Sequence, residues 1–222
     1  MTADTLRRSP LGHLADVLAA HSTDGERGVR LREVPFLAQL DLQLHPHGPA
    51  TMGEPSPSLR PGVPPGGGRG RIAATLGSPL PTDPNTVTDT GPGSPQVLWL
   101  GPQEWLVVGP DGSAPATAEL LRTALADEPG SVVDVSANRT TLELAGPAAR
   151  LVLEKGCALD LHPRVFGPGR CAQTLLGKVN VILHQVDAEP TYRLLVRGSF
   201  AQYLTDWLLD AMEEYRHPPL TA

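Results

Sequence analysis

The chain has 222 residues, of which 40% are hydrophobic, and its net charge is −6. This length suits one large or two small domains and allows a sizeable core. The acidic balance argues against a general nucleic-acid binder, which needs a basic surface. The aliphatic content and the irregular spacing of glycine exclude a collagen-like or wholly disordered chain.

Nothing in the sequence predicts a membrane segment or an export signal. No apolar stretch approaches the ~20 residues that span a bilayer, and His13 and Asp16 interrupt the apolar residues after Arg7 and Arg8. The only cysteines are Cys157 and Cys171, which excludes a disulfide framework. Two thiols without an export signal fit a reducing cytoplasm.

The first predicted elements are a helix and two strands. Ser9 and Pro10 predict the start of a short helix through about His21. Alternation predicts strands over 28–34 and 38–44. The residues expected on the buried face of the helix are Leu11, Leu14, Val17 and Leu18, and those on one face of the second strand are Leu40, Leu42 and Leu44.

Glycine and proline are concentrated in one stretch, since residues 46–95 hold 12 of the 24 prolines and 10 of the 23 glycines. The densest part, residues 60–70, predicts neither a helix nor an internal strand. We therefore expect a flexible, Gly/Pro-rich insertion at about 45–70, followed by one helical turn over 71–76. A phosphate-cradling loop is the alternative, but the strand before it and the Gly-Lys-Ser/Thr ending are missing.

Four strands and two helices are predicted next. Residues 96–101 and 104–109 predict a hairpin around Gly101-Pro102. A helix over 114–127 follows, with Leu120, Leu121, Ala124 and Leu125 on its buried face. Strands over 131–136 and 140–145 surround a turn at Asn138-Arg139. Gly146-Pro147 opens a helix through about Lys155, which Gly156 ends as a left-handed cap.

The last elements are two strands, over 179–186 and 192–196, and a helix. Gly167-Pro-Gly-Arg170 predicts a turn. Ser199 and Gln202 have the spacing of a capping box at the start of the helix. The residues expected on its buried face are Phe200, Leu204, Trp207, Leu208, Ala211 and Met212.

Strand pairs separated by single helices predict an α+β fold, with antiparallel or mixed sheets and helices on one face. The repeated ββα pattern also suggests an internal duplication.

Searches for catalytic and metal-binding motifs are weak throughout. Zinc could in principle be bound by Cys157, Cys171, His162 and His184. Their spacing matches no short zinc-binding pattern, so roles in the core or on the surface are favoured for these residues. Gly91-Pro-Gly-Ser-Pro-Gln lacks the third glycine of a dinucleotide loop.

Two acidic positions have both a catalytic and a plain interpretation. Asp134 could face a cavity, but alternation with Val133 and Val135 in the core would leave it in water. Asp160 and His162 could form a relay, yet an Asp before a proline-bearing turn is more often a backbone cap.

Several ordered strings are more specific. They are Trp99-Leu-Gly-Pro-Gln-Glu-Trp-Leu106, Asp134-Val-Ser-Ala-Asn-Arg139, Lys155-Gly-Cys-Ala-Leu-Asp-Leu-His-Pro163, Cys171-Ala-Gln-Thr174 and Leu195-Val-Arg-Gly-Ser-Phe-Ala201. Together they resemble the gamma subunit of heterotetrameric sarcosine oxidase, and the likeness covers nearly all of 1–216 except the insertion. We expect one gamma-subunit-like domain over 1–216 and a tail over 217–222.

The resemblance implies a complex of alpha, beta, gamma and delta subunits that demethylates sarcosine to glycine, forms hydrogen peroxide and passes a one-carbon unit to tetrahydrofolate. It implies FAD, FMN and NAD on alpha and beta and zinc on delta. The gamma fold is similar to the folate-binding domain of glycine-cleavage aminomethyltransferases. No catalytic, cofactor-binding or metal residue is carried over to this chain.

Two functions follow as hypotheses. In the first, the chain is a structural, cytoplasmic subunit that docks on alpha, without nucleic acid or membrane. In the second, it is a free-standing folate-binding or aminomethyltransferase-like protein. Such transferases are longer and carry a further barrel domain, which favours the first. The turns Gly101-Pro-Gln-Glu-Trp105 and Leu161-His-Pro-Arg164 are candidate subunit contacts.

Overall fold

The computed structural model describes residues 7–45, 67–88, 91, 94–126 and 128–216. The helices are α1 (Ala15–His21), α2 (Gly67–Leu76), α3 (Ala114–Leu125), α4 (Ala149–Glu154) and α5 (Gly198–Met212). The strands are β1 (Arg30–Val34), β2 (Ala38–Leu44), β3 (Val87–Thr88), β4 (Gln96–Gly101), β5 (Glu104–Gly109), β6 (Gly130–Asp134), β7 (Arg139–Ala145), β8 (Arg170–Leu176), β9 (Val179–Gln185) and β10 (Thr191–Arg197).

The chain forms two compact units. Among the described residues, unit 1 takes in those within 1–36 and 137–222, and unit 2 takes in those within 37–136. Unit 1 has a five-stranded sheet in the order β1-β7-β10-β9-β8, and unit 2 has a five-stranded sheet in the order β3-β4-β5-β2-β6. The single domain expected over 1–216 stays a prediction, and the tail lies outside the described residues.

The two units repeat one connectivity. Unit 2 runs β2-α2-β3-β4-β5-α3-β6, and unit 1 runs β7-α4-β8-β9-β10-α5, with β1 in the place that β6 holds in unit 2. Every pairing in both sheets is antiparallel. The predicted α+β class is confirmed, and the repeated topology supports the suggested duplication.

Two predicted strand pairs are wrong. The strands expected to be neighbours around Asn138-Arg139 are β6 and β7, but β6 pairs with β2 while β7 pairs with β1 and β10. The consecutive strands β1 and β2 also belong to different sheets. Alternation of apolar residues identifies a strand and its faces but not its partner.

The strand β8 was not predicted. The turn expected at 167–170 is present, since the N–H of Arg170 donates to the carbonyl of Gly167 at 3.1 Å. The strand begins at the last residue of that turn and pairs with β9 along its whole length. Consecutive Cys171 and Ala172 are both buried, so the strand lacks the alternation that would have revealed it.

The predicted insertion ends earlier than expected, because Gly67–Gly70 belong to α2. Tertiary contacts offset the low helix propensity of glycine. Ile72 and Leu76 are buried in the core of unit 2. Arg71 donates to the carbonyls of Ala124 and Leu125 at the end of α3, at 2.7 and 3.1 Å. Residues 46–66 of the insertion lie outside the described part of the chain.

Several predicted core positions are exposed instead. Val17 on α1, Leu120 on α3, Val133 on β6 and Phe200 on α5 are at least a third exposed. Their neighbours Leu18, Leu121, Val132 and Ala201 are buried. On the helices the buried face is rotated by one residue, or about 100°, from the predicted face. On β6 the same shift of one residue places Val133 on the opposite face of the strand.

Two predicted caps are also wrong. The N-cap of α5 is Arg197, without a side-chain capping bond, so Ser199 and Gln202 lie inside the helix rather than forming a box. Gly156 follows α4 but does not have a positive φ. A Cβ there would lie 2.4 Å from Cζ2 of Trp207, so close packing of the indole explains this glycine.

Each unit has its own core. In unit 1, residues of α1, α4 and α5 pack on Leu142, Leu144 and Leu194 of the central strands. In unit 2, residues of α2 and α3 pack around Trp105. The Nε1–H of Trp105 donates to the carbonyl of Pro81 at 2.8 Å, and the Arg69 guanidinium lies 4.8 Å from the ring centroid.

Candidate functional site

The four residues considered for zinc do not converge. Cys171 and His184 are buried cross-strand partners on β8 and β9. The backbone of Cys157 forms an isolated antiparallel β-bridge with that of Leu176. His162 is exposed, and its Nδ1 atom accepts a hydrogen bond from the N–H of Arg164 at 3.2 Å. Within the described ranges, no group of three or more His, Cys, Asp or Glu side chains could hold a metal ion.

Both acidic positions have local structural roles. The Oδ1 atom of Asp134 accepts from the N–H of Ser136 at 2.9 Å, and the carboxylate is exposed. The Oδ1 atom of Asp160 accepts from the N–H of His162 at 2.9 Å. These are the backbone caps of short turns, which supports the plain interpretation over the catalytic one. Pro92 and Gly93 of the other candidate loop lie outside the described residues.

Only some residues of the two turns predicted as subunit contacts are exposed to solvent. Trp105 and Leu161 are buried at 1% exposure each and belong to the cores. His162 and Arg164 are exposed. A role for them in subunit contact stays a prediction.

A cavity of unit 1 lies beside the edge strand β1 and has a volume of about 780 Å³. Leu11, Leu18 and Leu31 form its apolar side, and Arg32 and Glu143 lie on its polar side. Its volume is in the range of ligand pockets. Whether it could be a catalytic site depends on whether its charged side chains are free or already bound to other groups of the protein.

Glu143 is the central charge of this cavity. Its Oε1 atom accepts from Nε and Nη2 of Arg32 at 2.8 and 2.5 Å, and its Oε2 atom accepts from Nε of Arg193 at 3.2 Å. The three residues are directly opposite one another on β1, β7 and β10. Both carboxylate oxygens are therefore bound to guanidinium groups, which hold the edge of the sheet together.

The second carboxylate beside the cavity is also bound. Glu33 accepts hydrogen bonds from the hydroxyls of Ser9 and Thr140. The Ser9 Oγ in turn accepts from the N–H of Leu11 at 3.1 Å. This arrangement joins the segment before α1 to the sheet and leaves neither carboxylate placed as a free general base.

Shifted pKa values occur away from this cavity. Burial raises the pKa of the Tyr192 hydroxyl, against the opposing effect of the nearby Arg150. A hydrogen bond from Lys155 lowers the pKa of the exposed Glu214. Burial and the neighbouring Glu214 raise the pKa of Tyr215. The Lys155–Glu214 pair, 2.6 Å apart, links the end of α4 to the segment after α5.

Sequence reasoning missed the Arg32–Glu143–Arg193 cluster. Leu142 and Leu144 on either side of Glu143 do predict that it faces away from the core. Its partners follow only from β7 lying between β1 and β10, which the sequence pattern does not reveal.

The fold defines a two-unit α+β protein. The carboxylates of Glu33 and Glu143 form hydrogen bonds and ion pairs that hold its elements together. A family model described as "Sarcosine oxidase, gamma subunit family" matches residues 70–214. The sarcosine oxidase subunit gamma of Corynebacterium sp. (strain P-1) is 41% identical over 216 residues, covering 97% of this chain and 95% of that protein. The chain belongs to the sarcosine oxidase gamma subunit family.

Solved structures agree with this assignment. A chain of heterotetrameric sarcosine oxidase from Corynebacterium sp. U-96, in complex with pyrrole 2-carboxylate, has a TM-score of 0.81 and 40% identity. The match covers 97% of this chain and all of that one. The predicted family and gamma-subunit function are confirmed, and with them the assignment to an oxidoreductase complex.

The predicted likeness to aminomethyltransferases is confirmed at the level of fold. Glycine cleavage system aminomethyltransferase T from Bartonella henselae has a TM-score of 0.57 and 14% identity. The match covers 90% of this chain but 49% of the transferase. Separately, no helix among the described residues is long and apolar enough to cross a membrane.

Proposed function

We propose that this chain is the structural gamma subunit of a cytoplasmic heterotetramer, in which it stabilises the cofactor-bearing alpha subunit. The complex demethylates sarcosine to glycine, reduces oxygen to hydrogen peroxide and passes the one-carbon unit to tetrahydrofolate. Its other chains are alpha, beta and delta, with FAD, FMN and NAD on alpha and beta and zinc on delta. The observation that carries the proposal is the nearly complete match to a chain of a heterotetrameric sarcosine oxidase.

The structure supports a non-catalytic role for this chain. Beside the cavity at β1, Glu143 is paired with Arg32 and Arg193, and Glu33 accepts hydrogen bonds from the hydroxyls of Ser9 and Thr140. The described residues also lack a metal-binding cluster. Stabilisation of a partner needs surface complementarity rather than a reacting group.

Co-expression of the four subunits, with and without this chain, tests the proposal. We expect all four to co-purify and to produce peroxide from sarcosine. Without this chain, we expect alpha to lose flavin at a lower temperature. An alpha–beta–delta complex with unchanged activity and unchanged thermal stability would contradict the proposed role.

The contact turn can be tested in the same system. Arg164→Glu reverses an exposed charge in the turn after Leu161, and we expect it to reduce recovery of the complex at least several-fold. Arg122→Glu, on α3, is the matched control because Arg122 is also exposed. Equal recovery of both variants would remove the turn from the interface.

A folate-binding function is the second candidate, favoured by the likeness to aminomethyltransferase T. Titration of the purified chain with tetrahydrofolate separates the two. Binding at micromolar affinity would contradict a purely structural subunit.

A further inference from the structure

The edge strand β1 is bonded to a neighbouring strand on one side only, where it pairs with β7. Along an antiparallel edge strand, every second residue bonds to the neighbour, and the residues between them point to the open side. Leu31 points to the open side, because its N–H donates to Oγ of Ser22 at 3.1 Å rather than to β7. Val29 and Glu33, two positions away on either side, therefore point the same way.

The open side of β1 is covered over half of its length. Val29 accepts from the N–H of Thr23 at 2.9 Å, and its own N–H donates to Oγ1 of Thr23 at 3.3 Å. Within the described ranges, the carbonyl of Leu31 and both the N–H and the carbonyl of Glu33 have no hydrogen-bond partner. One donor and two acceptors therefore lie where a further strand would bond to them.

The cavity of about 780 Å³ beside β1 provides space for such a strand. Leu31 and Glu33 line it from the sheet, and Gly12, Ala15 and Ala19 line it from α1 and the turn before it. These three small residues are exposed, and their side chains leave room for a backbone next to β1. An open strand edge of this kind can take up an extended peptide through main-chain hydrogen bonds.

The charges on β1 argue against a second copy of the same strand. The symmetric registers in which Glu33 bonds to Glu33 or Leu31 of another copy place either two Glu33 residues or two Arg32 residues directly opposite one another. Like charges in that position are destabilising, whereas opposite charges are favourable. Arg32 can accept an acidic neighbour, because its side chain is 70% exposed and only Nε and Nη2 bond to Glu143.

We propose that an extended segment of another subunit of the complex adds to the open half of β1 as a further strand. The backbone of this segment accepts from the N–H of Glu33 and donates to the carbonyls of Glu33 and Leu31, and one of its acidic side chains lies opposite Arg32. The pairing rests on the proposed function, since it requires the other subunits, and it names the edge of unit 1 that one of them contacts.

Hydrogen exchange of single amides tests the pairing. It is measured by mass spectrometry on the chain alone and on the four-subunit complex. We expect the N–H of Glu33 to exchange at least ten-fold more slowly in the complex than in the chain alone. The N–H of Arg32 is the internal control, because it points to β7 and should be equally protected in both states.

Two variants at one position separate the backbone donor from the side chain. Glu33→Pro removes the N–H and Glu33→Ala keeps it, while both lose the hydrogen bonds from Ser9 and Thr140. Proline is tolerated on an edge strand where the N–H faces away from the sheet. In co-expression with the other subunits, we expect Glu33→Pro to yield at least several-fold less complex than Glu33→Ala. If the proline variant unfolds at a lower temperature than the alanine variant, the exchange measured on the parent chain decides.

Three results would overturn the pairing. The first is a complex that assembles while the N–H of Glu33 exchanges as it does in the chain alone, in which case the proposed function would stand. The second is protection of this N–H in the chain alone, because the chain itself or a second copy would then cover the edge. The third is equal recovery of complex with the two variants when both are equally stable. If the chain does not co-purify with the other subunits, the proposed function and the pairing both fail.

Discussion

At the scale of single residues, Gly156 is determined by its neighbour rather than by its backbone. A Cβ at this position would lie 2.4 Å from Cζ2 and 2.8 Å from Cη2 of Trp207. Real Cβ atoms do not approach an aromatic ring so closely, so the indole or the loop after α4 must move if a methyl group is added.

We therefore expect Gly156→Ala to lower the free energy of unfolding by about 1–3 kcal/mol, as overpacking does elsewhere. Gly70→Ala is the control, because Gly70 lies in α2 and a Cβ there meets no atom within 4 Å. That change should stabilise the chain by about 0.5–1 kcal/mol. Urea unfolding of both variants measures the difference, and equal destabilisation would contradict the packing argument.

Tyr192 predicts a loss of stability at alkaline pH. Burial raises its pKa above the ordinary value of 10.0 in the folded chain. Above pH 10 the unfolded chain therefore releases this proton while the folded chain keeps it, so the free energy of unfolding falls as pH rises. Below pH 10 both states hold the proton and the contribution is constant.

We expect Tyr192→Phe to make this alkaline fall shallower, measured by urea unfolding at pH 8 and pH 10.5. Part of the fall should remain, because the pKa of Tyr215 is raised as well. Tyr203→Phe, at an exposed position, serves as the control. A Tyr192→Phe variant with the parent's full alkaline slope would show that this hydroxyl does not contribute.

At the scale of elements, α3 shows what decides which face of a helix is buried. The apolar pattern predicts that both Leu120 and Leu121 lie on the buried face. In the structure Leu120 is 58% exposed and Leu121 is fully buried. Adjacent helix residues point about 100° apart, so the packing of α3 on its sheet decides between them.

Leu121→Ala should cost about 2–5 kcal/mol of unfolding free energy, as other large-to-small core changes do. Leu120→Ala should change it by less than about 0.5 kcal/mol. Thermal and urea unfolding of the two variants measure the contrast. Similar costs would mean that the face predicted from the sequence is the correct one.

The hairpin of β4 and β5 shows what local signals determine fully. Both strands were predicted to the residue, because Gly101-Pro102 provides a turn between two apolar runs. The pairs β1–β2 and β6–β7 have comparable strand signals, yet each pair is divided between two sheets. A short connection allows a hairpin but does not require one.

At the scale of the whole molecule, the exposed apolar side chains bear on assembly. Leu151, Val165, Phe200 and Leu175 are each about half exposed. Subunits of obligate complexes expose such residues until a partner covers them.

We therefore expect the chain expressed alone to self-associate or to be marginally stable. Light scattering coupled to size exclusion, for the chain alone and for the co-expressed complex, measures this. A monodisperse chain that unfolds cooperatively, and whose addition leaves the other subunits unchanged, would contradict the expectation.

The sequence by itself determined the α+β class, most elements and, through its ordered motifs, the family. Those properties depend on local periodicity, on turn residues and on short motifs, all of which can be read from the linear sequence. Only the tertiary structure decided how the strands pair beyond the local hairpins β4–β5 and β9–β10, that Gly67–Gly70 are helical, and that Glu143 lies between Arg32 and Arg193. Each of these depends on residues brought together by non-local strand register and packing, as when β7 pairs with β10, and no local pattern encodes those neighbours.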